Sequence, residues 1–238
     1  MTDLLASQLN KVQSRIAECQ RANEKAGNSA GSVRLVAVSK KHPASSVLAL
    51  LKKGQKDFGE NYVQEGLEKI KICHESMQAC PAIWHFIGGI QSNKCRDIAQ
   101  HFDWVQTISR EKEVRLLNEH ALAAKRTLQC LVQVNIDADS NKSGATPKDA
   151  LLVAEAIQRS PALSLRGLMT ITANDELEKR SESFKEMHKL YSALKSQFSD
   201  APIDTLSMGM TDDMEQAITC GSTMLRIGTA IFGTRPGT

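Results

Sequence analysis

The chain has 238 residues and a mass of 26.1 kDa, and its 41% hydrophobic and 24% charged residues are typical of a folded globular protein and exclude a largely disordered one. Thirty basic against 27 acidic residues leave a formal charge of +3, and aromatic residues make up only 4%, so we expect no nucleic-acid partner. The longest apolar runs, 35–38 and 47–51, are far shorter than the roughly 18 residues that cross a bilayer, which predicts a soluble protein with no membrane partner.

The N-terminus has no basic segment leading into the apolar stretch of a secretory signal, so we expect a cytoplasmic protein. The cysteines form no Cys-x-x-Cys pair, and no histidine pair stands near them at the spacing of zinc ligands. We therefore expect reduced thiols and no metal site at the six positions Cys19, Cys73, Cys80, Cys95, Cys130 and Cys220.

The first predicted element is a long amphipathic helix from Leu4 to Glu24, whose apolar residues recur at helical spacing. A turn rich in Gly and Ser over 26–32 leads into a buried strand over 33–39. From there helices and strands alternate along the chain. The other predicted strands cover 56–59, 82–87, 104–108, 128–135, 165–171, 205–207 and 224–227, and the helices between the eight strands cover 43–53, 62–72, 93–100, 111–124, 147–158, 176–198 and 212–219.

Eight strands that alternate with helices predict parallel βαβ units and an α/β fold. The number of units and the chain length favour a single (β/α)8 barrel domain over 1–238, of the triosephosphate isomerase type, with a doubly wound sheet as the alternative. Only about ten residues follow the last strand, too few for a full closing helix. We expect the extra N-terminal helix to fill that gap in the outer ring.

Barrels bind their ligands with the loops that follow the strands, and the loops after strands seven and eight commonly bind phosphate. Here these two loops contain glycines, which allow close approach of the backbone, and hydroxyl side chains. The alternative is that the glycines only end the strands. The residues concerned are Ser207, Gly209, Thr211, Gly228, Thr229 and Gly233.

Lys40 follows the first strand, and a lysine at the mouth of a barrel can act as an amine that forms Schiff bases with carbonyl groups. Together with a phosphate site it indicates an aldehyde that carries a phosphate, for which pyridoxal 5'-phosphate is the obvious candidate. Arg226 on strand eight could donate to the pyridine nitrogen, which would keep this nitrogen unprotonated. The ordinary alternatives are a solvated surface lysine and an arginine paired with a carboxylate.

Three further polar or soft side chains near strand ends have ordinary explanations when taken alone. His85 can be a hydrogen-bonded interior histidine, Asn61 a turn residue and Met208 a packed methionine. The residues by themselves assign no role to any of the three.

Taken together and in order, six segments resemble the pyridoxal phosphate homeostasis protein family, single-barrel relatives of the alanine racemase N-terminal domain. The resemblance extends over nearly the whole chain. One departure is Thr172, in a stretch where the family often has proline, which affects the loop after strand six. The segments are Leu35–Lys40, Phe58–Glu65, His85–Lys94, Arg166–Met169, Leu206–Met210 and Gly221–Gly233.

The resemblance implies a barrel of PLP fold type III and a role for each candidate residue. Lys40 is expected to hold pyridoxal 5'-phosphate as a Schiff base, and Arg226 to face the pyridine nitrogen. The phosphate is then bound by Ser207, Gly228 and Thr229, and the ring pocket is lined by Asn61, His85 and Met208.

The function that the resemblance implies is intracellular pyridoxal 5'-phosphate homeostasis without strong catalysis, in a monomer or weak dimer that buffers the cofactor or supplies it to apo-enzymes. An amino-acid racemase that uses Lys40 as one base is the first alternative. It lacks support because neither Tyr62 nor the mid-helix Tyr191 is placed as a base on the opposite face. The second alternative is a phosphate-binding barrel enzyme with an aldolase-type Schiff base.

Overall fold

The computed structural model describes residues 2–25, 32–77, 79–172 and 176–233. Eight parallel strands pair in sequence order, and the first pairs with the last, which closes the sheet into a barrel. The closure confirms the (β/α)8 prediction and excludes the doubly wound alternative. The strands are β1 Arg34–Val38, β2 Asp57–Glu60, β3 Ile83–Phe86, β4 Trp104–Ile108, β5 Leu128–Gln133, β6 Leu163–Met169, β7 Thr205–Ser207 and β8 Met224–Ile227.

Helices cover the outside of the barrel between successive strands. Their bounds lie within a few residues of the predicted ones, and a 3₁₀ turn over Ser92–Lys94 precedes the fourth helix. The predicted turn at 26–32 lies outside the described residues except for Ser32, and so do residues 173–175 of the loop after β6. The helices are α1 Thr2–Lys25, α2 Ala44–Leu51, α3 Val63–Ser76, α4 Cys95–His101, α5 Glu111–Ala123, α6 Pro147–Gln158, α7 Leu177–Gln197, α8 Met214–Thr219 and α9 Thr229–Phe232.

The N-terminal helix α1 closes the outer ring. Its buried face carries Leu5, Leu9, Val12 and Ile16, and it packs against α2, α8 and α9. Because α9 has only four residues, it cannot cover the seam between β8 and β1 by itself. The prediction that the extra helix fills this gap is confirmed.

The barrel interior has an apolar layer beside a row of polar side chains. The apolar layer consists of Val36, Trp104, Leu131, Met169 and Met224. Barrel interiors are usually filled by layers of bulky apolar residues, so the buried polar groups in this one need hydrogen-bond partners inside the barrel. Those polar side chains are His85, Gln106, Ser207 and Arg226.

Three observations concern the described residues as a group. None of the described helices is both long and apolar enough to cross a membrane. All six cysteines are free thiols in the structure. The part of the chain that the structure describes holds no cluster of three or more potential metal ligands.

Candidate functional site

A cavity of about 200 Å³ opens at the mouth of the barrel, where the strands end. Loops after β1, β2, β3, β6, β7 and β8 contribute to its wall, as expected for the ligand-binding face of a barrel. Its lining consists of Val38, Lys40, Asn61, Ile87, Ile171, Met210, Thr211, Asp212, Arg226, Gly228 and Thr229. Five of the eight residues predicted from the sequence therefore lie together here.

Lys40 is carried by a turn whose backbone is fixed on both sides. The Ser39 N–H donates to the Gly59 carbonyl at 3.0 Å, and the Lys41 N–H donates to Glu65 Oε1 at 2.5 Å. Lys41 has a φ of 64°, a left-handed conformation that is uncommon for residues other than glycine. Such a conformation persists where surrounding contacts impose it, so these contacts hold the backbone of the turn beside the cavity.

A buried ion cluster beneath this turn provides those contacts. Lys69 Nζ donates to the Ser39 carbonyl at 2.6 Å, to Glu60 Oε1 at 2.7 Å and to Glu65 Oε1 at 2.7 Å. These three bonds use all three donors of the ammonium group. Burial raises the pKa of Glu60, while the neighbouring Lys69 opposes that shift. The sequence analysis missed this cluster, although the i,i+4 spacing of Glu65 and Lys69 on α3 is a signal for it.

Arg226 presents its guanidinium to the floor of the cavity. One terminal nitrogen donates to Ser207 Oγ at 2.6 Å and the other to the Thr170 carbonyl at 2.7 Å. Burial lowers the pKa of Arg226 to about 10, so the group remains protonated at neutral pH and can only donate. The alternative of an arginine paired with a carboxylate is not what the structure has, since both described partners are uncharged oxygens.

Asn61 contributes an unsatisfied amide oxygen. Its Oδ1 is buried and has no hydrogen-bond partner among the described residues. The loop after β3 fixes the Asn61 backbone, because a Cβ on Gly88 would lie 1.9 Å from the Asn61 carbonyl oxygen. Only glycine fits at that approach. A buried acceptor without a partner is costly by about 1–3 kcal/mol, so it favours a bound molecule that can donate to it.

The loops after β7 and β8 form a cradle from Thr211, Gly228 and Thr229. The first N–H groups of a helix have no acceptor within that helix, and here α9 begins at Thr229 on the cavity wall. A Cβ on Gly228 would lie 3.3 Å from the Val38 carbonyl oxygen, which leaves little room for a side chain. The cradle therefore offers amide and hydroxyl donors of the kind that bind phosphate.

Ser207, His85 and Met208 do not belong to the described lining of the cavity, and their roles toward the cofactor stay predictions. The Ser207 hydroxyl is buried between Arg226 and Gln106, and it donates to Gln106 Oε1 at 2.7 Å. His85 is buried inside the barrel, with its two ring nitrogens bonded to Asp57 and Gln106. Met208 is packed in the main core, where the ordinary interpretation of a packed methionine holds.

The physical reason is the alternation of side chains along a strand. His85 points to the same side of the sheet as Ile87, and Ile87 lines the cavity. A difference of two residues along a strand is about 6.6 Å, so His85 lies one layer below the mouth. Met208 follows the inward-facing Ser207 and points to the other side, toward the helices. Thr211, later in the same loop, belongs to the lining.

Known proteins resemble the chain over nearly its whole length. The family described as alanine racemase, N-terminal domain, matches residues 13–236. The pyridoxal phosphate homeostasis protein of Pasteurella multocida strain Pm70 is 48% identical over 228 residues, which cover 95% of this chain and 96% of the relative. The protein of the same name from Escherichia coli strain K12 is 43% identical over 232 residues, 97% of this chain and 95% of the relative.

Solved structures agree with these relationships. PipY of Synechococcus elongatus PCC7942 without PLP has a TM-score of 0.85 at 29% identity and covers 96% of this chain and 100% of its own. The same protein with PLP bound has a TM-score of 0.82 at 27% identity, with the same coverage. Alanine racemase of Clostridium difficile 630, at 14% identity and a TM-score of 0.75, shares the fold over 99% of this chain and 57% of its own. The chain therefore belongs to the pyridoxal phosphate homeostasis protein family and carries the alanine racemase N-terminal domain.

Proposed function

We propose that this protein holds pyridoxal 5'-phosphate on Lys40 in the mouth cavity and buffers it or supplies it to apo-enzymes in the cell. The observation that carries the proposal is the joint presence of a lysine, a buried guanidinium and a Gly/Thr cradle in one cavity of about 200 Å³. The name of the relatives and the PLP-bound form of PipY support it. The cofactor supplies an aldehyde that forms a Schiff base with an amine, and a ring that can accept electron density.

The residues of the cavity fit the polar parts of this cofactor. Thr211, Gly228 and Thr229 offer donors for the phosphate, and the Lys40 amine lies in the same cavity. Arg226 has guanidinium donors that suit an unprotonated ring nitrogen. The unpartnered Asn61 Oδ1 is an acceptor for a donor of the ligand or for a water molecule bound with it.

Arg226 also argues for holding the cofactor rather than for turnover. A guanidinium donates hydrogen bonds and accepts none, so a ring nitrogen that faces it acts as the acceptor, stays unprotonated and withdraws electrons weakly. Chemistry at a carbanion needs a strong electron sink. This arrangement supports a carrier over a racemase.

A racemase also needs two proton-transfer groups, one on each face of the substrate. Tyr62 is 53% exposed and Tyr191 lies on α7, where burial raises its pKa to about 12, and neither belongs to the lining. Among the described lining residues, Asp212 is the only titratable side chain besides Lys40 and Arg226. Its carboxylate is the group to test for a second base.

The test is to mix the loaded protein with an apo-aminotransferase and to follow recovered transaminase activity, with a chiral assay for D-alanine in parallel. We expect recovery of the aminotransferase, and D-alanine formation no faster than with free pyridoxal 5'-phosphate. Robust D-alanine formation that Lys40→Ala and Asp212→Asn both abolish would establish the racemase instead. Absence of any bound cofactor in the purified protein and after its incubation with pyridoxal 5'-phosphate would contradict the proposal as a whole.

The proposal includes the setting in which the protein works. We propose that it acts in the cytoplasm as a monomer or weak dimer, because a single barrel already brings the lysine, the guanidinium and the Gly/Thr cradle together in one cavity. Light scattering over a concentration series checks the oligomeric state. A stable higher oligomer whose dissociation releases the cofactor would contradict this part of the proposal.

A further inference from the structure

A row of hydrogen bonds crosses the barrel interior from the mouth cavity toward the opposite end. Arg226 bonds to Ser207 Oγ at 2.6 Å, and Ser207 bonds to Gln106 Oε1 at 2.7 Å. Gln106 Nε2 lies 2.9 Å from His85 Nδ1, and His85 Nε2 lies 3.0 Å from Asp57 Oδ1. We call these five residues the interior row. They come from β8, β7, β4, β3 and β2, so the row connects strands that are far apart in sequence.

The chemistry of the groups gives the row one direction. The Arg226 guanidinium can only donate, so Ser207 Oγ accepts from it and donates its own proton to Gln106 Oε1. The amide nitrogen of Gln106 then donates to His85 Nδ1. His85 therefore carries its proton on Nε2 and donates it to the carboxylate of Asp57. Every bond of the row is donated away from Arg226 and toward Asp57.

The row is buried, so each of its polar groups needs a hydrogen-bond partner within it. Gln106, Ser207 and His85 are fully buried, and a buried polar group without a partner is expensive. If His85 carried a proton on both nitrogens, the Gln106 amide would have to turn its oxygen toward His85, and the Ser207 hydroxyl would lose its acceptor. Burial lowers the pKa of His85, which keeps the ring neutral. Asp57, Arg34 and Asp103 are the charged groups that act on it.

We propose that Gln106, His85 and Asp57 are positioning residues, which fix the orientation of Arg226 and the direction of its hydrogen bonds toward the cofactor site. Only one orientation of each side chain gives every donor and acceptor of the row a hydrogen-bond partner. The carboxylate of Asp57, which only accepts, sets the direction of the other bonds. Bonds donated in one direction also polarise one another. As far as it concerns the cofactor, this inference rests on the proposed function.

The first experiment uses the protein without cofactor, so its outcome is independent of cofactor binding. Nitrogen-15 NMR of the imidazole reports which ring nitrogen carries the proton. We expect His85 with its proton on Nε2 in the wild type at neutral pH. Gln106→Glu replaces the amide donor with an acceptor, and we expect His85 to gain a proton on Nδ1 in that variant. A wild-type His85 that is protonated on Nδ1 would overturn the proposal.

The second experiment measures the row from the cofactor side, with pyridoxal 5'-phosphate as the probe. Ser207→Ala and Gln106→Leu interrupt the row, and we expect both to speed cofactor loss on dialysis about tenfold and to shift the visible absorbance maximum of the bound cofactor. Ser207→Thr restores the hydroxyl and should recover the wild-type spectrum.

Ser222→Ala is the matched control. Ser222 is a buried hydroxyl next to β8 that bonds to the Met208 and Met224 carbonyls and lies outside the row. We expect it to lower the melting temperature as much as Ser207→Ala does, with an unchanged cofactor spectrum. Equal spectral and retention effects of the two alanine variants would show that the row is only structural and would overturn the proposal. If the wild type takes up no cofactor, the proposed function fails, while the NMR result still decides the row.

Discussion

At the mouth of the barrel, the depth of a side chain decides whether it lines the cavity or bonds to other residues of the interior. Thr211 and Ser207 both follow or end β7, yet Thr211 lines the cavity while the Ser207 hydroxyl is committed to Arg226 and Gln106. Lys40 and Lys41 are sequence neighbours, and the left-handed turn at Lys41 sets the two apart.

Covalent attachment of the cofactor tests the position of Lys40 in the cavity. We expect borohydride reduction of the loaded protein, followed by digestion and mass spectrometry, to find the label on Lys40, because Lys40 is the lysine in the lining of the cavity. Lys40→Arg should abolish the label and the visible absorbance, and Lys41→Arg should leave both in place. Label found mainly on Lys94 or Lys142 would contradict the assignment.

A substitution at Thr211 tests the phosphate cradle. Thr211→Val removes a hydroxyl from the cavity, and hydrogen bonds to charged groups contribute about 1.5–3 kcal/mol, so we expect roughly 10- to 100-fold weaker binding of pyridoxal 5'-phosphate. Inorganic phosphate, used as a competitor, should lose affinity by a similar factor. Ser207→Ala is the control, since it should leave competition by inorganic phosphate unchanged. The opposite pattern would favour the predicted phosphate role of Ser207 over that of Thr211.

Whole elements cooperate through the buried ion cluster under the Lys40 turn. Lys69 on α3 holds the Ser39 carbonyl after β1 and the carboxylate of Glu60 at the end of β2. Glu60 is fully buried and one of its oxygens, Oε2, has no partner among the described residues. The Glu60 carboxylate therefore depends on Lys69 for its counter-charge. Through Lys69, α3 links the end of β1 to the end of β2.

Lys69→Met tests this link between elements. We expect it to lower the free energy of unfolding by about 3–5 kcal/mol, because it leaves the Glu60 carboxylate buried without its counter-charge. Chemical denaturation measures the loss. Lys71→Met is the matched control two residues further along α3, where the side chain is exposed and its ion pair with Glu75 is long, and it should change stability by less than about 0.5 kcal/mol. Equal effects of the two variants would show that the cluster does not stabilise the fold.

At the scale of the whole molecule, the closed barrel encloses a histidine, His85, whose protonation links the stability of the fold to pH. Burial holds the pKa of His85 below its ordinary value of 6.5 in the folded protein. The unfolded chain keeps roughly the ordinary value and binds more protons below it. The contribution of His85 to the free energy of unfolding is therefore greatest above about pH 6.5 and falls as the pH decreases below it, by up to about 1.4 kcal/mol per pH unit.

Chemical denaturation of the wild type and of His85→Gln over a pH series checks the direction in which the free energy of unfolding changes with pH. We expect the wild type to lose more stability than His85→Gln between about pH 7.5 and about pH 5. His101→Gln serves as the control, since His101 lies on the exposed end of α4 and should follow the wild type. A wild type that gains stability relative to His85→Gln on acidification would show that His85 is charged in the folded protein.

The sequence by itself determined the fold and the broad position of the site. The alternation of strands and helices predicts the barrel because the period of apolar residues is a local property of the chain. The polar residues at the ends of β1, β2 and β8 likewise predict that the site lies at the mouth of the barrel. The cavity there is lined by Lys40, Asn61, Arg226, Gly228 and Thr229. The resemblance to the homeostasis family is likewise carried by short motifs.

Only the tertiary structure decided which polar groups line the mouth cavity and which bond to one another inside the barrel. His85 and Ser207 are on the inward side of their strands, as alternation predicts, but the stagger of the strands in a closed barrel sets their depth. One layer below the mouth, Ser207 on β7 meets Gln106 on β4 across the barrel, and these two strands are remote in sequence. Local pattern holds no information on such distant partners, and it is the closure of β1 against β8 that brings them within hydrogen-bond distance of one another.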